Sequence, residues 1–370
     1  MVVRRQLVGV GAVVACLITG VAPGATASAA HSLASPRSCA PAADSYGFGP
    51  SALLGIEFSS LATGWAVGGN RVLRTTDGGA HWSVVYRQDH AQLAQIDGYD
   101  DAHAWVLGRD VLLATADGGR TWHQLADPCL REVNFFSTTN GVAVAGKTLV
   151  RTSDGGSHWS SALTSPRPVT SACFTDRSHG WLGADGRIYR TADGGDSWRL
   201  NVAGPRRSKA QRRESLALVE CSGSDRGWAE LVGPGAAMNQ EPHIGYRLSS
   251  TGSRPLFEEG YFPYPGLPKN LPSSPGPYFA AFSSVSPSIA AFVDFCSPCG
   301  YGRSSVAVFD GDRLGPDHVV RNIVGAQAAA FLSASNGWVV GETSQVSRHP
   351  HWRIVHTTDG GKTWTTQFQT

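Results

Sequence analysis

Charged side chains are scarce in this sequence: Asp, Glu, Lys and Arg make up 16% of 370 residues, and the net charge is only +2. A chain so weakly charged has no global attraction for a polyanion, so no nucleic-acid partner is expected unless a local patch supplies one. Long apolar runs are also missing after the first thirty residues, and nothing there could span a bilayer. What is abundant is glycine (44) and tryptophan (11). That mixture suits short, twisted strands joined by tight turns.

The N-terminus reads as an export signal over residues 1–30. Arg4 and Arg5 give a positive start, Leu7 to Val21 an apolar core, and Ala25 to Ala30 a small-residue cleavage region. Gly9, Gly11, Gly20 and Pro23 interrupt the core, which disfavours a retained anchor and so stable membrane insertion. Arg4-Arg5 also leaves twin-arginine export open, and Val13-Val14-Ala15-Cys16 resembles a lipoprotein box, a minor alternative. The expectation is a secreted or extracytoplasmic monomer. Six cysteines would remain after cleavage, an even count that reads as disulfides outside the cytoplasm.

Self-similarity decides the architecture. Five segments align without gaps: TTDGGAHW from Thr75, TADGGRTW from Thr115, TSDGGSHW from Thr152, TADGGDSW from Thr191 and TTDGGKTW from Thr357. Their aspartates stand 40, 37, 39 and then 166 residues apart. A second marker, a Gly-Trp-type strand, recurs as GWAVG at Gly64, AWVLG at Ala104, GVAVAG at Gly141, GWLG at Gly180, GWAEL at Gly227 and GWVVG at Gly337. The missing sixth unit is visible as YFAAFSS from Tyr278, IAAFVDF from Ile289 and SVAVFDGD from Ser305, and the fifth unit's box has decayed to SSTGSRPL from Ser249. Four short strands repeated about every forty residues predict propeller blades. The expectation is an all-β single propeller of seven four-stranded antiparallel blades, with six or eight as the neighbouring counts. Residues 31–51 form a leader, and the blades span about 52–88, 91–127, 130–163, 167–204, 215–259, 277–320 and 326–370.

These boxes resemble the Asp-box (BNR) family pattern Ser/Thr-x-Asp-x-Gly-x-Thr-Trp. The whole unit is similar to photosystem II stability/assembly factor-like propellers and to the wider WD40/YVTN/BNR-like group, over roughly residues 52–370. The resemblance implies fold more than function, because the same boxes occur in sialidases, sortilin-type receptors and xyloglucan hydrolases. It also implies that each box joins the third and fourth strands, away from the ligand face. The residues give the box a mechanical role: Asp77, Asp117, Asp154, Asp193 and Asp359 accept backbone hydrogen bonds while the paired glycines supply positive φ. Trp82, Trp122, Trp159, Trp198 and Trp364 then fold back onto the blade. Sialidase catalysis has no residues to carry it: no Arg-Ile-Pro motif precedes the boxes, and Tyr246-Arg247-Leu248 lies in the wrong place. No catalytic residue, cofactor or metal is therefore assigned.

Function is sought where loops lengthen. Strand-two-to-three and strand-four-to-one connections share one face, and from the end of blade four onward they grow. They carry a basic run (Arg206, Arg207, Lys209, Arg212, Arg213) that could hold an acidic partner or be a solvated loop. They also carry Tyr261 and Tyr264 among prolines, a stacking platform or a self-pinned loop, and His349 and His351. Cys296 and Cys299 read as a small structural disulfide rather than a redox pair or half a metal site with the two histidines. Cys173 and Cys221 fall on first strands of adjacent blades and suit a pair, leaving Cys39 with Cys129. Seven residues before the markers stand Glu57, Asp97, Asn134, Cys173 and Glu220. These would make a partial acidic ring, read as solvated by channel water. The functional reading is a protein-binding or assembly module whose ligand face is the long loops of blades four to seven. The alternative is a glycan-binding or hydrolytic propeller, for which carboxylates such as Glu230, Asp294 and Glu342 would have to converge.

Overall fold

The computed structural model describes residues 50–370 apart from 90, 126–128, 205–214, 234–241, 260–266, 269, 275, 277, 297–302, 312 and 345–350. Its strands fall into seven antiparallel sheets. The first blade is β1 (Gly55–Phe58), β2 (Gly64–Gly68), β3 (Arg71–Thr75) and β4 (Ser83–Arg87); the second is β5 (Leu93–Gly98), β6 (Ala104–Gly108), β7 (Val111–Thr115) and β8 (His123–Leu125). Blade three is β9 (Glu132–Phe135), β10 (Gly141–Ala145), β11 (Thr148–Thr152) and β12 (Ser160–Thr164), and blade four is β13 (Val169–Phe174), β14 (Gly180–Ala184), β15 (Arg187–Thr191) and β16 (Arg199–Val202). Blade five comprises β17 (Leu216–Cys221), β18 (Arg226–Val232), β19 (His243–Ser249) and β20 (Arg254–Glu259). Blade six follows with β21 (Tyr278–Ser286), β22 (Ile289–Cys296), β23 (Arg303–Asp310), β24 (Arg313–Leu314) and β25 (His318–Val320). Blade seven closes the series with β26 (Gly325–Phe331), β27 (Gly337–Glu342), β28 (Trp352–Thr357) and β29 (Thr365–Gln369).

Blade six departs from the four-strand plan. Its outer strand is broken into β24 and β25, which both pair with β23. Gly315-Pro316 lies between them, and a proline has no N–H to give a ladder.

Burial falls outward across each blade. First and second strands are sealed along nearly their whole length, whereas outer strands such as β4, β12 and β29 are half-buried at best. The apolar core does not lie inside any one blade. It forms seven clusters, each shared by two neighbours, including one that joins blade seven to blade one. The ring is therefore closed by packing, with all four strands of blade seven drawn from one continuous stretch of chain.

Tryptophans explain how the clusters are filled. Marker Trp65 packs forward into the cluster shared with blade two, where it meets box Trp122 edge to face at 6.0 Å. Box tryptophans pack backward: Trp82 faces the cluster shared with blade seven, Trp159 that with blade two and Trp198 that with blade three. Marker Trp105 donates its Nε1–H to the carbonyl of Gly155 in the next blade's box at 2.9 Å. At the closing seam Gln367 relays the same contact, accepting from Trp338 Nε1 at 3.0 Å and donating to Gly78 O at 3.0 Å. Seams four–five and five–six lack a box tryptophan, because boxes five and six have decayed.

Candidate functional site

The Asp-box turns are closed by hydrogen bonds within each box. In the third box Thr152 Oγ1 donates to Asp154 Oδ1 at 2.8 Å and accepts from Gly156 N at 2.9 Å, while Asp154 Oδ1 accepts from His158 N at 2.9 Å. The same geometry repeats around Asp77, Asp117, Asp193 and Asp359. Gly155 and Gly156 sit at φ 74° and 96°, values that favour glycine. The backbone N–H of His158 is the main influence holding the Asp154 carboxyl at about 2, and those of Asp77, Asp117 and Asp359 are likewise held at about 2. Hydrogen bonds from Ser197 hold the Asp193 carboxyl below the ordinary carboxylate range as well. In the third box both Asp154 oxygens bond within the turn, Oδ1 to Thr152 and the His158 amide and Oδ2 to the His158 ring.

The polar positions on the first strands do something the sequence reading missed. Glu57, Asp97, Asn134 and Glu220 are buried rather than bathed by channel water. Each accepts a hydrogen bond from a backbone N–H on the next blade's first strand. Gly98 N donates to Glu57 Oε2 at 3.0 Å, Phe135 N to Asp97 Oδ2 at 2.6 Å, Phe174 N to Asn134 Oδ1 at 2.8 Å, and Ser284 N to Glu220 Oε2 at 2.5 Å. Ser283 Oγ does the same for Phe331 N at 2.9 Å. The first strand of a blade is an edge strand whose outward N–H groups lack a ladder partner, so the preceding blade supplies one. At seam four–five the equivalent link is covalent: Cys173 is disulfide-bonded to Cys221, with Cα atoms 5.7 Å apart. At seam seven–one the matching residue is Ala330, and Phe58 stacks on Trp338 at 3.5 Å instead.

The meander order sends the strand-two-to-three and four-to-one connections to one face and the boxes to the other. On the first face, blades one to four turn from their second to third strand in two residues. Blades five, six and seven take residues 233–242, 297–302 and 343–351, and connections 203–215 and 260–277 emerge there too. Arg206, Arg207, Lys209, Arg212, Arg213, Tyr261, Tyr264, His349, Cys299 and Cys39 lie outside the described residues. Cys296 ends β22. Cys129 is disulfide-bonded and holds φ 63°. His351 is exposed, with ring Nδ1 at 2.6 Å from the backbone oxygen of Thr370.

Carboxylates do converge on that side, at the seam between blades five and six. Glu230 on β18, His243 at the start of β19 and Asp294 on β22 are all fully buried. His243 Nε2 lies 3.4 Å from Asp294 Oδ2 and 3.7 Å from Glu230 Oε1. Gly276 N donates to Asp294 Oδ2 at 3.2 Å. Glu259, paired with His243 across the β19–β20 ladder, has its carboxyl pushed up, first by burial and further by the charge of Asp294, against the lowering pull of His243. Burial also raises the Glu342 carboxyl, but that residue belongs to blade seven and is no part of the cluster. With no exposure, Glu230 and Asp294 cannot flank a substrate as a glycosidase pair must.

The family model for photosynthesis system II assembly factor YCF48 matches residues 49–128, the first two blades. Among solved structures, YCF48 from Cyanidioschyzon merolae is 18% identical, with a TM-score of 0.51 over 84% of this chain and 96% of that one. This is a seven-bladed Asp-box propeller resembling the photosystem II assembly factors. An ancestral GH74 enzyme is 13% identical, with a TM-score of 0.57 over 87% of this chain and 47% of its own. The structure described as YCF48 bound to D1 peptide is 16% identical, with a TM-score of 0.40 over 86% and 81% of the two chains. No curated protein matches the chain.

The cluster in this Asp-box propeller left one trace in the sequence. In GWAEL, Glu230 stands where the other markers have Val67, Leu107, Val144, Gly183 and Val340. A carboxylate between apolar neighbours on an inner strand needs a buried partner. His243 lies on the next strand of the same blade, beyond a ten-residue connection, and Asp294 could not be named without knowing how blades five and six pack.

Proposed function

We propose that the chain is an extracytoplasmic, non-enzymatic propeller that binds another protein, as an assembly or scaffold module does, through the long connections of blades four to seven. The observation that carries this reading is the asymmetry of the ring. Two-residue turns serve blades one to four on the same face where blades five to seven place connections of six to ten residues. Elaborated loops on one side of a rigid scaffold are the usual seat of recognition. The family description, an assembly factor, supports a protein as the ligand. Among the described residues no helix is long and apolar enough to cross a membrane, and the N-terminal segment reads as an export signal.

The test is affinity capture from native culture fluid with the intact chain and with a variant carrying alanine at Arg206, Arg207, Lys209, Arg212 and Arg213. The expected result is weakened capture by a variant whose melting temperature is unchanged. Undiminished capture by a stable variant removes the basic run from the binding face. A parallel glycan array examines the alternative ligand class, and selective glycan retention there would displace the protein-binding reading.

A further inference from the structure

We propose that Glu230, His243 and Asp294 form a structural binding site for a divalent transition-metal ion of the Zn2+ kind, joining blades five and six. The donors come from three different strands, β18, β19 and β22, and all are fully buried. One ligand atom from each lies within 4.8 Å of the others.

Distance is the first argument. His243 Nε2 carries at most one proton, yet it sits between two carboxylate oxygens at 3.4 and 3.7 Å. Both separations exceed the roughly 2.7–2.9 Å of a charge-assisted hydrogen bond. They match the spacing of neighbouring ligands around an ion: bonds of about 2.0–2.2 Å at tetrahedral angles put donor atoms about 3.4 Å apart. Charge is the second argument. Two ionised carboxylates beside one imidazolium would leave the triad with a net negative charge at a fully buried position. A divalent cation bound by neutral imidazole brings the triad itself to zero, which suits a buried position. Third, Asp294 Oδ1 is buried and has no hydrogen-bond partner among the described residues, while Oδ2 of the same carboxylate is oriented by Gly276 N–H. Such a second contact is what commonly fixes a ligating carboxylate.

The donor set selects the ion. One imidazole with two carboxylates suits Zn2+ and its first-row neighbours, whereas Ca2+ and Mg2+ prefer all-oxygen shells. Its position gives it a role. Glu230 and His243 flank connection 233–242, Asp294 precedes 297–302, and Gly276 closes 260–277, so one ion would tie together the roots of three long connections. Seam five–six is also one of the two that lack a box tryptophan, and the other holds a disulfide.

The experiment strips the full-length exported chain with chelator, restores Zn2+, removes excess by gel filtration and counts metal by mass spectrometry. One ion per chain is expected, undiminished by excess Mg2+ or Ca2+, together with a melting temperature that falls on chelation. His243→Gln and Asp294→Asn should each abolish retention. A His81→Gln, His158→Gln variant, which removes the exposed histidines beside box aspartates, should retain the ion. If the triad variants do not fold, X-ray absorption of the loaded wild-type protein decides, with a nitrogen/oxygen shell containing a single imidazole expected. Less than a tenth of an ion per chain, retention by folded triad variants, or a sulfur-containing shell would overturn the proposal.

Discussion

Replacing Asn134 isolates the link between blades three and four. Asn134 Oδ1 accepts from Phe174 N at 2.8 Å, and both residues are buried. Truncation to alanine strands a buried backbone donor, which costs about 1–3 kcal/mol. Alanine also opens a small void, so the decisive variant is Asn134→Leu, which fills the space and still offers no acceptor. Both should lose about 2 kcal/mol by that reasoning. Asn134→Asp keeps an acceptor and copies Asp97 one blade earlier, where Phe135 N donates at 2.6 Å. It should stay within about 1 kcal/mol of wild type. Urea unfolding followed by tryptophan fluorescence gives the three shifts, and hydrogen exchange at the Phe174 amide shows whether the loss is local. A leucine variant as stable as wild type would refute the link, because the position would then want only apolar volume. An aspartate variant as damaged as leucine would show that an acceptor alone does not restore it.

Two further perturbations follow from the same geometry. The disulfide between Cys173 and Cys221 spans 48 residues, and removing both thiols by alanine substitution should cost up to about 4 kcal/mol on a chain-entropy basis; an unchanged urea midpoint would mean that the other seam contacts already hold blades four and five. In the boxes, the Asp154 carboxyl is held at about 2 against an ordinary 3.8. A depressed folded value means that its stabilisation is complete above 3.8 and fades as pH falls toward 2. Asp154→Asn should therefore flatten the melting-temperature profile within that window, whereas a curve parallel to wild type would sink the assignment.

Blade number, box chemistry and the destination of the tryptophans were legible because a repeat writes the same local physics many times. Asp-Gly-Gly needs nothing beyond its own turn to be understood, and Trp65 or Trp338 must be buried wherever the blade goes. The seams were not legible in the same way. Glu57, Asp97, Asn134 and Glu220 stood out as polar on an inner strand, but their partners are N–H groups some forty to sixty residues away, contributed by backbone with no side-chain signature. Channel water was the wrong solvent for them; the next blade is the right one. Glu230 is the same problem one strand further out: His243 reaches it across the β18–β19 ladder of its own blade, but Asp294 completes the cluster only after blade six docks. Blade six hid its split outer strand because β24 and β25 are too short to carry an alternating pattern.

The seven seams differ in kind, and one of them is permanent while the disulfide lasts. A ring that opens by thermal fluctuation must part at carboxylate, amide, hydroxyl or stacked-aromatic contacts, never between blades four and five. Every partly opened form therefore keeps that pair in register, as a template on which neighbouring blades can re-dock in order. The long connections 203–215 and 233–242 belong to this retained pair. Under oxidising conditions, the first strands of blades four and five would stay tethered to each other while any other seam parts.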